Sequence, residues 1–315
     1  MSQAPATAAP EPAPGEAPVV VIGAANVDLQ AMAAAPLRLA DSNPGRILSS
    51  PGGVGRNIAE RLARQGRAVQ LLSLLGDDAD GEWLRQQGRQ AGIGMDGCIT
   101  VAGAATARYL SLHQPDGEML AAVNDMELLS RLDATVLQAW APHLAGAAAL
   151  VIEANLPPAT LAALWPLLPP SLAVWADAVS AAKAPRLAPH LARLHTLKPN
   201  RLEALQLSGL AEATPHQALA DALLDRGLAQ LALSLGADGL WLAQRLADGT
   251  RRHHHQPALP VAVRSVTGAG DALLAGLLHA QLAGCGPAES AAHAMACAAA
   301  ALSGHPPPPL TRTLP

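Results

Sequence analysis

The chain has 315 residues, of which 50% are hydrophobic and 15% are charged, and its formal net charge is −4. A chain of this length can form one large α/β domain or two small ones around a well-buried core. The negative charge and the lack of any Lys/Arg block argue against nucleic acid as a partner. No apolar run reaches the ~20 residues needed to cross a bilayer, so no membrane is expected to be involved.

Three cysteines, Cys98, Cys285 and Cys297, occur without CxxC spacing. Their odd number and spacing favour a reducing, cytoplasmic compartment over a disulfide framework or a zinc site. Residues 1–17 are rich in Ala and Pro and lack the basic and apolar regions of a signal peptide, so they are predicted to be a disordered leader. The Pro-rich tail, residues 305–315, is also predicted to be disordered.

The first predicted element is a strand, because VVVIGAANVD begins with the continuous apolar run that is typical of a strand buried on both faces. Further apolar runs alternate with helical patterns along the chain. They are VQLLSLLG, AALVIEAN, LAVWADA, LHTLKPN and AQLALSLG. This alternation predicts βαβ units that build a doubly wound, mostly parallel sheet. No linker or internal repeat divides residues 18–304, which we expect to form one domain.

One region breaks this alternation. Residues 105–125 contain two strand-like runs joined by PDGE at residues 115–118, a favourable hairpin turn. A hairpin inside an α/β domain predicts an antiparallel excursion that serves as a lid or a dimer contact, and ADSNPGRILSSPGG at residues 40–53 is expected to supply a companion strand. Further along, the run His253–His255 is predicted to lie in a solvated loop, because ligands from adjacent residues rarely converge on one metal ion.

The stretch SVTGAGDALLAGLL places Asp271 behind Gly268, Ala269 and Gly270 at the predicted start of a helix. Unpaired N–H groups at a helix start bind anions, and residues without bulky side chains let an anion approach them closely. A carboxylate there suits a base that accepts the proton of a hydroxyl attacking a phosphorus atom. An Asp N-cap after a Gly-rich turn explains the pattern equally well at this point.

A second glycine cluster, GGVGRN, also leads into a helix and ends at Asn57. Its glycines would let a polar ligand lie against the backbone while the Asn57 amide binds hydroxyl groups, although a tight strand-to-helix turn also explains them. The chain contains no GxxxxGK[ST] motif and no HRD or DFG set, which excludes a P-loop NTPase and argues against a protein kinase.

Two further motifs follow predicted strands. In KPNRLEAL, Asn200 and Glu203 are three residues apart and share one face of a first helical turn. They suit either the water shell of Mg²⁺ or a capping box. In LSLGADGLWL, Ser234, Gly236 and Gly239 lie in a predicted turn between two strands, which suits either a cradle for nucleotide phosphates or a simple hairpin.

In their order and spacing, GGVGRNIAERLARQG, KPNRLEA, LSLGADG and VTGAGDALLAGLL resemble the motifs of the ribokinase-like (PfkB) family of sugar and nucleoside kinases. The resemblance covers roughly residues 18–304. It implies an α/β fold, a three-layer α/β/α sandwich with a mostly parallel central sheet and a small β lid near residues 30–50 and 105–125. It also implies an enzyme that uses ATP and Mg²⁺ and forms a homodimer through the lid.

Within the family, ADSNPGRI, GGVGRNIAE, YLSLHQPDGEMLAAVNDM and HTLKPNRLEA resemble the bacterial branch that phosphorylates the 5′-hydroxyl of the nucleoside pseudouridine. An alternative is a kinase of the same family that acts on another nucleoside or sugar. A second alternative, which is not an enzyme, is a homologue that binds a ligand but has lost catalytic activity. The family commonly has Asp where this chain has Ser265, and that Asp helps to hold a monovalent cation. A requirement for K⁺ therefore stays open.

The resemblance assigns roles to residues that match the family motifs. The catalytic set is Asp271 as the base with Gly268, Ala269 and Gly270 as the anion hole. The substrate-binding set is Asp28, Gly53, Asn57, Asn124 and Asn155. The nucleotide-binding set is Lys198, Asn200, Ser234, Gly236, Gly239 and Thr267. The magnesium set is Asn200 and Glu203.

Overall fold

The computed structural model describes residues 15–310. Most of the predicted leader and the last five residues of the predicted tail lie outside the described residues, and the described parts of both contain neither helix nor strand. The strands in the described part are β1 Val19–Ile22, β2 Asn26–Ala33, β3 Gly45–Gly52, β4 Val69–Leu72, β5 Leu74–Gly76, β6 Ile99–Val101, β7 Arg108–His113, β8 Met119–Asp125, β9 Ala149–Glu153, β10 Val174–Asp177, β11 Thr196–Lys198, β12 Gln230–Ser234, β13 Leu240–Arg245 and β14 Arg251–Gln256. The α-helices there are α1 Val54–Ala63, α2 Ala79–Gln90, α3 Ala134–Ala145, α4 Pro158–Leu164, α5 Arg201–Ser208, α6 His216–Asp225, α7 Ala269–Leu282 and α8 Pro287–Ser303.

Eight strands form the central sheet in the order β14-β13-β12-β11-β10-β9-β1-β4. The pairs from β4 to β12 are parallel, and β13 and β14 join the edge in antiparallel orientation. One core contains side chains from α3, α4, α5 and α6, and the other contains side chains from α1, α2, α7 and α8. The predicted three-layer sandwich with a mostly parallel sheet is therefore confirmed.

The continuous apolar sequence of β1 is explained by its place between these two cores. Successive side chains of a strand point to opposite faces of the sheet. Val20 and Ile22 pack in one core while Val19 and Val21 pack in the other, and all four are at most 1% exposed. The carboxyl ends of β1, β9, β10, β11 and β12 share one edge of the sheet, where ligands bind in open α/β folds.

A second sheet, with strand order β3-β2-β7-β8, contains the segments that the sequence predicts to form a lid, and we call this sheet the lid. The register pairs Ser50 with Asp28, Asp28 with Tyr109, and Tyr109 with Asn124. Residues directly opposite each other in neighbouring strands point to the same face. The four side chains therefore form one polar row across the lid.

Two expectations about local structure are wrong. His253–His255 do not lie in a solvated loop but in strand β14, where the Trp241 indole N–H donates to His253 Nδ1 at 3.2 Å and Asp221 of α6 lies 3.3 Å from His253 Nε2. These cross-strand and strand–helix contacts outweigh the weak strand propensity of histidine. The run VQLLSLLG is not one strand, because it divides at Ser73 and β5 pairs with β6 in a small separate sheet.

None of the helices formed by residues 15–310 has the length and apolar character that crossing a membrane requires.

Candidate active site

Asp271 lies in the first turn of α7 but does not cap the helix. The N-cap is Gly268, whose φ of 76° lies in the left-handed region that favours glycine. The first bond of the helix is donated by Ala272 N to Gly268 O at 2.9 Å. The amides of Ala269, Gly270 and Asp271 precede that bond and have no acceptor within the helix. The N-cap alternative for Asp271 is therefore wrong, and the helix start leaves amides free for an anion.

The Asp271 carboxylate is buried, with 8% of the residue exposed. Asn57 Nδ2 donates to Asp271 Oδ2 at 3.0 Å. Burial and the negative charge of Asp177 raise the pKa of Asp271 to about 7, although Lys198 and the bond from Asn57 act in the opposite direction. A carboxyl group with this pKa can accept a proton near neutral pH, as a general base must.

The start of α1 determines how Asn57 faces Asp271. Arg56 Nη1 donates to Asn57 Oδ1 at 3.3 Å, which leaves the amide nitrogen of Asn57 to face the carboxylate. Gly53, the N-cap of α1, has φ of 99° and lies so close to Ala24 O that a Cβ would collide with it. The GGVGRN motif therefore combines a strand-to-helix turn that requires glycine with an amide held against the carboxylate.

A polar cavity of about 310 Å³ lies between the lid and the end of the central sheet, on one side of Asp271. All five residues predicted to bind the substrate line it, namely Asp28, Gly53, Asn57, Asn124 and Asn155. Sequence reasoning missed other lining residues, which are Asn26, Val54, Tyr109, Met126, Val179 and Lys183. The register of the lid explains part of this set, because Asp28, Tyr109 and Asn124 belong to its polar row.

Two groups near this cavity were not selected from the sequence, namely Lys183, which lines the cavity, and Glu153, which is buried next to Asn155. Lys183 Nζ donates to Asn155 Oδ1, and burial lowers the pKa of Lys183. Glu153, at the end of β9, accepts from Ala24 N at 2.8 Å and from Asn155 N at 2.6 Å. Glu153 is fully buried, and this burial raises its pKa to about 7. Its carboxyl group joins the ends of β1 and β9 beneath the cavity.

A second cavity, of about 670 Å³, lies on the other side of the α7 start. Four of the predicted nucleotide-binding residues line it, namely Asn200, Ser234, Gly236 and Gly239. Its apolar wall is formed by Val261, Val263, Leu273, Met295, Ala298 and Leu302. Ala269 and Gly270 line this cavity, whereas Gly268 and Asp271 line the polar one, so the start of α7 separates the two.

The other two predicted nucleotide-binding residues lie elsewhere. Thr267 lines the polar cavity. Lys198 is 6% exposed, and its ammonium group lies 3.0 Å from Asp177 and 2.7 Å from the position that a Cβ on Gly270 would occupy. Burial lowers the pKa of Lys198, but the nearby charges of Asp177, Glu203 and Asp271 outweigh it and raise the pKa overall. Lys198 is thus a buried cation directly behind the helix start.

Asn200 and Glu203 form the capping box of α5. Asn200 Oδ1 accepts from Glu203 N at 2.9 Å, and Glu203 accepts from Asn200 N at 2.8 Å and from Asn200 Nδ2 at 2.9 Å. Each carboxylate oxygen still has acceptor capacity. No group of three His, Cys, Asp or Glu residues that could hold a metal ion occurs within residues 15–310. One carboxylate and one amide fit an ion such as Mg²⁺, which keeps most of its waters and binds phosphate oxygens.

The geometry brings two cavities together at the start of α7, where the first amides have no acceptor within the helix and the Asp271 carboxylate lies. Such a site suits the transfer of an anionic group from a ligand in one cavity to a hydroxyl group in the other. The apolar cavity suits the larger and partly apolar ligand, and the polar cavity suits one rich in hydroxyl groups.

Comparison with known proteins agrees with this chemistry. Residues 16–306 match the pfkB family carbohydrate kinase profile. The chain is 40% identical over 288 residues to Pseudouridine kinase of Escherichia coli (strain K12), with 90% of each chain covered. It is 36% identical over 282 residues to "Uncharacterized sugar kinase YeiI" of the same organism, which covers 89% of this chain and 76% of that one. Among solved structures, a carbohydrate kinase from Agrobacterium tumefaciens superimposes with a TM-score of 0.77 at 30% identity, covering 90% of each chain.

The chain belongs to the pfkB family of carbohydrate kinases. It is a phosphotransferase whose acceptor is an alcohol group.

Proposed function

We propose that this protein transfers the γ-phosphoryl group of ATP to the 5′-hydroxyl of pseudouridine, giving pseudouridine 5′-phosphate and ADP. The observation that carries the proposal is the position of Asp271 where the two cavities meet, one turn into a helix whose first amides are free. The identity to the E. coli pseudouridine kinase supports the choice of nucleoside.

Asp271 acts as the base in this reaction. The carboxylate accepts the proton of the 5′-hydroxyl while the new O–P bond forms, and Asn57 holds the carboxylate in place. The amides of Ala269 and Gly270 and the buried ammonium group of Lys198 stabilise the negative charge on the phosphoryl oxygens.

The nucleotide lies in the apolar cavity, with its base against the apolar wall and its phosphates at the α7 start. Gly239, in the turn after β12, has φ of 96°, and a Cβ there would collide with Gln256 O, so this turn requires glycine. Ser234 and Gly236 of the same turn line the cavity with it.

The nucleoside lies in the polar cavity beneath the lid. Asp28 and Asn57 bind its ribose hydroxyl groups, with Gly53 giving close backbone approach, and Asn155 and Asn124 bind further polar atoms. Asn26 Nδ2 donates to Asp28 Oδ1 at 2.6 Å, which fixes the carboxylate toward the cavity. Burial, the largest influence, raises the pKa of Asp28.

Glu203 and Asn200 would hold Mg²⁺ through its water shell. When bound, the ion would supply positive charge that offsets the charge of the nucleotide phosphates. A monovalent cation is less strongly supported, because Ser265 offers a neutral hydroxyl group that already accepts from Thr267 N at 3.2 Å.

Two further parts of the proposal concern the whole protein. We propose a homodimer formed through the outer face of the lid, where Ile47, Leu110 and Val123 are exposed. We also propose a cytoplasmic location, because Cys98, Cys285 and Cys297 are free thiols rather than disulfides.

The test is a coupled ADP-release assay of the purified protein with ATP, Mg²⁺ and a panel of acceptors. The panel contains pseudouridine, uridine, adenosine, inosine, ribose and fructose 6-phosphate. We expect the highest kcat/KM for pseudouridine. A clear preference for another acceptor would overturn the substrate, and the absence of turnover with every acceptor would support an inactive binding homologue instead.

A further inference from the structure

Two arginines of α1, Arg56 and Arg61, and the C-cap residue Arg64 lie close together in the chain, and Arg61 differs from the other two. Arg56 and Arg64 both pair with Glu60, at 2.6 Å and 2.5 Å. The Arg61 guanidinium group has no hydrogen bond or ion pair to any residue within the described range 15–310. A partly exposed cation that pairs with no carboxylate is available to a ligand.

The Arg61 guanidinium group lies close to the start of α7 and to the Asp271 carboxylate. The point that a Cβ on Gly268 would occupy lies 3.8 Å from Arg61 Nη2 and 3.9 Å from Asp271 Oδ2. The cation and the base therefore flank the same glycine at the start of α7. Consistent with this, the charge of Arg61 is among the influences that lower the pKa of Asp271 against the dominant effect of burial.

Arg61 also faces open space rather than protein. It lines a cavity of about 410 Å³ together with Asp28, Asn57, Thr267 and Gly268. The same four residues line the polar cavity described above, so the two spaces adjoin at the helix start. A group bound at Gly268 thus has the amides of α7 on one side and the guanidinium group on the other.

We propose that Arg61 is a further catalytic residue, which donates hydrogen bonds to the oxygens of the phosphoryl group as it passes from ATP to the acceptor. This inference rests on the proposed function. The acceptor oxygen forms a bond to the γ-phosphorus, and the bond from that phosphorus to the oxygen bridging to the β-phosphorus breaks. ADP leaves with the bonding electron pair, and the acceptor proton goes to Asp271. A guanidinium group presents fixed donors to phosphoryl oxygens throughout this step.

The test compares Arg61→Met with the matched control Arg64→Met, which removes an arginine three residues further along the chain that is paired with Glu60. We expect Arg61→Met to lower kcat by about 10²-fold or more while KM for both substrates changes less than about threefold. We expect Arg64→Met to leave kcat within about twofold. Thermal unfolding of both variants checks that they fold.

A binding measurement distinguishes direct contact between Arg61 and the phosphoryl oxygens from an effect of Arg61 on the Asp271 carboxylate. Calorimetry records the affinity for ADP alone and for ADP with Mg²⁺, aluminium fluoride and the acceptor, which together mimic the phosphoryl group in transit. Direct contact predicts that Arg61→Met weakens only the aluminium fluoride complex, by more than about tenfold, and does so also in an Asp271→Asn background. Unchanged affinity for this complex in either background, or an unchanged kcat, would overturn the proposal.

The test of Arg61 can be interpreted even if pseudouridine is not the acceptor of this enzyme. If the wild-type protein phosphorylates another acceptor in place of pseudouridine, the ratio of variant to wild-type kcat with that acceptor tests Arg61 in the same way.

Discussion

Asp271 is a buried carboxylate in the first turn of a helix whose first amides have no acceptor within the helix, a combination that we expect at a site that performs chemistry. Burying a negative charge is costly, and a negative charge beside a phosphate-binding site opposes the ligand. The observed contacts direct the carboxylate to Asn57 in the polar cavity and keep the α7 amides for another anion. A residue with only a structural role would not need this arrangement.

Replacing Asp271 with Asn keeps the shape of the side chain and removes the base. We expect kcat to fall by about 10²–10⁴-fold, the usual contribution of a positioned base, while the affinity for ATP changes little. Steady-state kinetics and calorimetry measure both. A variant that retains more than about a tenth of the wild-type kcat would contradict the assignment.

The same substitution has an expected effect on stability. Because the folded-state pKa of Asp271 is raised to about 7, the stability that its neutral form contributes is fully present below the ordinary pKa of Asp, about 3.9, and is lost as the pH rises from there to about 7. Asp271→Asn removes this loss. Thermal unfolding at pH 8 is therefore expected to show the variant at least as stable as the wild type, with a smaller advantage at pH 6.

The pH dependence of the reaction follows from the same raised pKa. The base must be deprotonated, so kcat/KM is expected to fall about tenfold per pH unit below about 7 and to level off above it. A pH series with a buffer-matched control for the coupling enzymes measures this limb. Constant activity down to pH 5 would show that Asp271 either keeps the ordinary pKa of a carboxyl group or is not the base.

Among the elements, we expect the lid to determine which acceptor can be bound. Asp28, Tyr109 and Asn124 of its polar row line the polar cavity, and Asn124 lies on the edge strand β8. Asn124→Ala is expected to raise KM for the nucleoside about three- to tenfold, the cost of one or two lost hydrogen bonds, with kcat nearly unchanged. Glu118→Ala, at the hairpin turn of the same lid, is the matched control. Equal effects of the two substitutions would argue against a contact from Asn124.

Some elements of the fold and the site could be predicted from the sequence, and others could not. The central strands were predictable because burial on both faces leaves a continuous apolar run, and the start of α7 was predictable because an anion site needs residues with minimal side chains. The contacts of Glu153, Lys183 and Arg61 were not predictable, because topology brings them to the site from elements far apart in the chain. The strand at His253–His255 was missed because its pairing partner, rather than its own propensity, determines it.

At the scale of the whole molecule, the outer face of the lid predicts self-association. The register places Leu110 and Val123 side by side on the face opposite the polar row, and Ile47 of β3 lies on the same face. Val123 and Ile47 are 68% and 71% exposed. Two copies that pair this face bury the same patch on each subunit, as a twofold interface requires.

Sedimentation velocity tests this pairing. We expect the wild-type protein to sediment as a dimer and the double variant Ile47→Glu, Val123→Glu to sediment as a monomer, because like charges would face each other across the interface. Leu210→Glu places a charge on an exposed leucine outside the lid and serves as the control. A wild-type monomer, or a double variant that remains dimeric, would contradict the proposed interface.

The most direct test of the whole account identifies the product of the reaction. Pseudouridine, ATP and Mg²⁺ are incubated with the enzyme, and phosphorus NMR follows the phosphate groups. The account predicts one new phosphomonoester on the 5′-carbon for each ADP formed. Release of ADP without an ester, or an ester on a different hydroxyl group, would contradict it.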